Sequence, residues 1–138
     1  MIEEAEEVLA GAARLKAAGR FQLEAAIQSV HAQRVRTGET DWEAVTLLYE
    51  GLLRHAPTMG ARVAHAAALG EARDAEAGLG ALDAIPPDEV ATYQPYWALR
   101  GHMLKALGRA AEASEAYERA IGLSEDPAVR AFLLGRRA

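Results

Sequence analysis

The chain has 138 residues, 51% of them hydrophobic, with 20 acidic against 15 basic side chains, a net charge of -5 and no cysteine. That length and apolar content suit one domain, residues 1–138, with a continuous core, while the missing cysteines exclude disulfides, thiolate nucleophiles and Cys-ligated zinc. The acidic balance argues against direct nucleic-acid binding, which needs clustered Lys and Arg, and no apolar run approaches the ~20 residues of a membrane span.

Much of the apolar content is alanine, with few aromatic or β-branched residues, so an all-α fold is expected. Glu3, Glu4, Glu6 and Glu7 near the start and Arg14 and Lys16 further on favour an opening helix over residues 2–17, stopped by Gly19. This acidic start is unlike a signal peptide, and a cytoplasmic location is expected. A second helix begins near Phe21, carries Leu23, Ala26, Ile27 and Val30 on one face, and frays at Thr37 and Gly38. Thr40, with Glu43 three residues later, reads as a capping box opening a third helix that ends before Pro57. Further helices are expected over residues 60–71 and 74–85, the latter broken by Pro86 and Pro87, with a single turn over residues 88–92. Pro95 suits the first turn of the next helix, which ends at the turn Leu107, Gly108, Arg109. Residues 110–123 form another, and Asp126 with Pro127 opens the last, ending near Arg136.

Tyr49, Leu82 and Tyr117 occupy corresponding places in three of these helices, spaced by 33 and then 35 residues, and Leu52, Ile85 and Ala120 repeat the spacing. The period is close to the ~34 residues of a tetratricopeptide repeat (TPR). Trp97, Gly101, Leu104, Gly108, Ala113, Tyr117 and Ala120 match the TPR pattern of alternating large and small residues, which lets paired helices approach closely. Arg100 departs from it, standing where TPRs usually place Leu, and the closing proline comes late, at Pro127. The middle repeat keeps only Ala66, Leu69, Gly78, Leu82 and Ile85. The expected architecture is antiparallel helix pairs stacked in a short right-handed solenoid.

A more specific resemblance spans nearly the whole chain. Phe21–Ala32 (FQLEAAIQSVHA), Thr40–Trp42, Leu47–Tyr49, Tyr93–Arg100 (YQPYWALR), Leu107–Arg109 and Asp126–Leu133 (DPAVRAFL) resemble the C-terminal, TPR-like extension of a group of bacterial extracytoplasmic-function sigma factors. In that family the extension follows two promoter- and polymerase-binding domains and regulates or supports transcription initiation. The family's Asn-Arg-Ala stretch stands here as Ala64, His65 and Ala66. Neither sigma domain fits in these residues, so the chain is expected to be an excised domain or a stand-alone relative. The resemblance implies protein partners, namely the sigma domains of a parent chain or RNA polymerase. The alternative is a free-standing TPR adaptor for a partner unrelated to transcription.

No catalytic, cofactor or metal residues emerge. His31, His55, His65 and His102 fall in four different helices without ligand spacing, and neither a serine-nucleophile motif nor a phosphate loop occurs. The chain is read as a non-enzyme. Helical spacing assigns Trp97, Tyr117 and Tyr49 to the core. In a TPR solenoid the first helix of each pair lines the concave side. Gln28, His31, Arg62, His65, His102 and Lys105 on those helices are therefore the expected partner-binding residues, suited to an extended or acidic segment.

Overall fold

Every long stretch among the described residues, 19–33 and 39–137 of the computed structural model, is helical, and no strand occurs among them. Residues 19–33 form α1, followed by α2 (Trp42–His55), α3 (Met59–Ala72), α4 (Ala75–Asp83), the short α5 (Pro87–Val90), α6 (Gln94–Ala106), α7 (Ala110–Leu123) and α8 (Pro127–Arg137). The expected opening helix and the fraying at Thr37 and Gly38 lie outside the described residues.

Side-chain caps set several boundaries. Asp41, Thr58 and Asp74 each accept the backbone N–H three residues on, at the starts of α2, α3 and α4. The cap of α2 is thus Asp41 and not Thr40, because helical geometry begins at Trp42 and the third amide after Asp41 is that of Ala44. Gly19, expected to stop a helix, is itself helical. At the end of α6, Gly108 adopts φ +77, the Gly108 N–H bonds the Lys105 carbonyl and the Arg109 N–H bonds that of Leu104. This paired bonding satisfies two orphan carbonyls and needs a residue free of Cβ strain.

Sequential helices pack on one another: α2 on α3, α3 on α4, α4 on α6, α6 on α7 and α7 on α8, with further contacts of α3 with α6 and α6 with α8. α6 and α7 run antiparallel, since Trp97 early in α6 packs with Ala120 and Ile121 late in α7, while Leu104 clusters with Ala113 and Ala116. α3 and α6 run parallel. Gly60 at the start of α3 approaches Tyr93 just before α6, and Gly70 near its end meets the tip of Met103.

The core divides into three clusters. Ile27, Leu52 and Ala61 join α1, α2 and α3. The largest gathers residues of α3, α4, α6 and α7 with Ile85 and Val90, and includes the fully buried Leu82 and Leu104. Burying each of those leucines contributes about 1.5–3 kcal/mol. Tyr117, Ala120, Ile121 and Leu133 fasten α8 to α7.

Close approach depends on glycine at two crossings. A Cβ on Gly101 would lie 2.9 Å from Tyr117 ring atoms, and one on Gly78 would lie 2.9 Å from the Ala66 carbonyl oxygen and collide with Met103 Cε. Tyr117 is buried as expected, but Trp97 and Tyr49 are only half-buried, and Tyr96, unassigned by the repeat pattern, is the buried aromatic at the start of α6. Trp97 stays at the edge of the core because its indole N–H donates to the Val90 carbonyl at 3.0 Å, pinning the α5 turn to α6.

Candidate interaction surfaces

An apolar cavity of about 270 Å³ opens between α3 and α6. Ala67, Gly70 and Ala106 leave the space, Leu99 and Met103 form a wall, and Trp42 borders it from the start of α2. Its polar lining is Glu71 and His102. His31 of α1 meets the Trp42 ring edge-on, with centroids 5.7 Å apart, which extends this surface toward the amino-terminal side.

A second cavity, about 610 Å³, lies among α2, α3 and the α4–α5 turn, and it contains Arg62 and His65. Both side chains have acidic partners within the protein. Arg62 Nη1 lies 3.2 Å from Glu89 Oε2, and His65 Nε2 lies 3.4 Å from Glu50 Oε1.

A third cavity, about 410 Å³, is lined by Trp97, Arg100, Leu104, Glu112, Glu115 and Arg119 among others. Arg119 stacks over the Trp97 ring at 4.3 Å and donates to the Ala91 carbonyl. Arg100 donates to Asp83 Oδ1 at 2.6 Å, bracing α6 against α4. Burial works to lower the Arg100 pKa, but the hydrogen bond and charge of Asp83, with Tyr96, outweigh it and hold the guanidinium charged.

The second and third cavities are built alike. Arg62, His65, Ala81 and Ala84 line one, and the residues 35 positions later, Trp97, Arg100, Ala116 and Arg119, line the other. Helical phase explains how the six expected partner-binding residues divide. Arg62 and His65 of α3 correspond to Trp97 and Arg100 of α6 and share their outlook. His102 corresponds to Ala67, and those two line the α3–α6 cavity together. His31 reaches that surface through Trp42, and Gln28 is exposed on α1. Lys105, also exposed, donates from Nζ to the Arg136 carbonyl at 2.6 Å, a cation at the negative end of α8. Glu71 and Leu99 line the α3–α6 cavity and stand outside the six expected residues. Their signal was available, since Glu71 stands 35 positions before Ala106, but the alanine-rich α3 gives little contrast between its faces.

No family model matches the chain, and no solved structure matches it. An uncharacterized protein of Rhizobium meliloti (strain 1021) is 36% identical over 133 residues, covering 96% of this chain. The chain spans only 31% of that relative's length, so the relative is about 430 residues long (133/0.31).

Among the described residues, no three His, Asp or Glu side chains are grouped so as to hold a metal ion, and no helix is long and apolar enough to cross a membrane.

Proposed function

We propose that this chain is a TPR-like solenoid of antiparallel helix pairs that acts as a non-enzymatic, cytoplasmic interaction domain of an extracytoplasmic-function sigma factor. It supports or controls transcription initiation by contacting the sigma domains of its parent chain or RNA polymerase. The observation carrying the repeat reading is the pair of cavities whose lining recurs at a 35-residue offset on α3–α4 and α6–α7. Parallel first helices that touch, α3 with α6 and α6 with α8, fit such a stack. The sigma assignment draws on the sequence resemblance. The relative's length agrees with it, leaving about 300 residues beyond the matched part for other domains.

The α3–α6 cavity is the proposed docking groove. Its small-residue floor and Trp42 and Leu99 walls accept an apolar side chain, and His102 and Glu71 supply polar contacts. The test is a reconstitution of core polymerase with the parent sigma regions, with and without this domain in trans. The domain is expected to alter promoter-specific transcription several-fold and to co-purify with polymerase or the sigma regions. His102→Glu combined with Ala106→Glu, both at exposed positions, is expected to remove both effects while leaving the circular dichroism spectrum intact. A folded domain that neither binds nor alters transcription would leave the adaptor reading in its place.

A further inference from the structure

We propose that the cavity of about 610 Å³ among α2, α3 and the α4–α5 turn receives an aromatic side chain of a partner protein, stacked on the guanidinium of Arg62. This surface is separate from the α3–α6 cavity, and the inference does not depend on the sigma reading. The equivalent cavity 35 residues later shows what fills such a place. There Trp97 stands at the position of Arg62 and Arg119 at that of Ala84, and the Arg119 guanidinium lies 4.3 Å over the Trp97 ring. A further 35 residues on, Phe132 holds the same position, and again an arginine, Arg136, lies over the ring, at 5.3 Å. An arginine–ring pair therefore marks this place on α6 and on α8, whereas α3 supplies the arginine and, among the described residues, no ring covers it. With the short Ala84 in place of Arg119, the first cavity stays open at about 610 Å³ against about 410 Å³ for the second.

The lining selects an aromatic occupant over the alternatives. Leu53, Ala81, Ile85 and Pro86 give the cavity apolar walls. Arg62 Nη1 donates to Glu89 Oε2 at 3.2 Å, and because guanidinium N–H groups point along the plane of the group, this bond fixes Arg62 while leaving its faces for stacking. An aliphatic side chain would meet the walls but gain nothing from Arg62. An acidic one would compete with Glu89 and approach Glu50, which lies 3.4 Å from His65 of the same lining, and a basic one would face Arg62.

The experiment is a titration of the amide NMR spectrum of the whole chain with N-acetyl-tryptophanamide, N-acetyl-leucinamide and N-acetyl-glutamate. The tryptophan probe is expected to bind in the millimolar range, shifting the amides of Ala81, Ala84, Ile85 and Glu89, with the other two at least about threefold weaker. Arg62→Met keeps an apolar stem but removes the charge and the plane. It is expected to weaken tryptophan binding by about two- to fivefold, the span of a cation–π contact at an exposed site, and to leave leucine binding as it was. Ala84→Arg installs the residue of the second cavity at an exposed position and is expected to abolish tryptophan binding by filling the space. Circular dichroism checks that both variants fold. Tryptophan binding that ignores both substitutions, leucine binding as tight as tryptophan, or a preference for the glutamate probe overturns the proposal.

Discussion

A methyl group placed on Gly101 would stand 2.9 Å from Cγ and Cδ2 of Tyr117, so the α6–α7 crossing is set by the absence of a side chain on one helix and the flat ring on the other. Gly101→Ala gains intrinsic helix propensity of up to about 1 kcal/mol. The overpacking is larger, and a net loss of ~1–2 kcal/mol is expected, rising to about 3 kcal/mol for Gly101→Leu. Pairing Gly101→Ala with Tyr117→Leu should recover part of the sum of the two single losses, because the new methyl occupies space the ring vacates. Chemical denaturation of the four proteins checks this, and strict additivity would sink the assignment.

Met103 provides a comparison between two glycines. At Gly70 the nearest atom to an added Cβ is the flexible Met103 methyl, at 2.8 Å. At Gly78 the obstacles include the Ala66 carbonyl, fixed in the backbone of α3. Gly70→Ala should therefore lie within about 1 kcal/mol of the parent, since the thioether can rotate away and propensity improves. Gly78→Ala should cost about 1–3 kcal/mol. Thermal melts that rank the two in the opposite order would refute the packing account.

The caps differ measurably in their roles. Asp41→Ala and Asp74→Ala should each cost ~1 kcal/mol, because each carboxylate accepts an otherwise unpaired amide at a helix start. Thr40→Ala should change stability by less than about 0.5 kcal/mol, since the capping role falls to its neighbour. Urea midpoints of the three variants decide the matter.

Burial raises the pKa of Tyr117 and of Tyr49, the positive charge of Arg136 partly offsetting the rise at Tyr117. Both phenols therefore hold their protons more tightly in the folded than in the unfolded protein. The stability tied to this difference is complete below pH 10.0, the ordinary value, and is lost as pH rises through the higher native values. Alkaline unfolding should accordingly coincide with phenolate absorbance, and Tyr117→Phe should move its midpoint upward. A midpoint that stays put in that variant would count against burial as the cause.

Helix positions from α2 onward were legible because proline, glycine and short polar caps punctuate the chain, and so were the inward places of Gly101, Leu104, Ala113, Tyr117 and Ala120. The errors have local physical origins. Thr40 and Asp41 both suit a cap, and only the backbone angles decide between them. Tyr96 and Trp97 are adjacent aromatics, and the hydrogen bond of the indole to Val90 keeps the larger ring at the edge while Tyr96 takes the interior. In α3, alanines and glycines lie on every side, so the sequence offers little contrast to fix which face Arg62 and His65 share. Their kinship with Trp97 and Arg100 becomes plain only once the cavities are compared.

The order of packing, each helix against those one to three places away along the chain, has a kinetic consequence. Few contacts must wait for distant segments to meet, so little loop-closure entropy is spent before native contacts form. Folding should be fast, in the microsecond-to-millisecond range of helical proteins with local contacts. The α6–α7 pair, joined by the tight Gly108 turn and locked by Gly101 against Tyr117, is the natural nucleus from which order spreads in both directions.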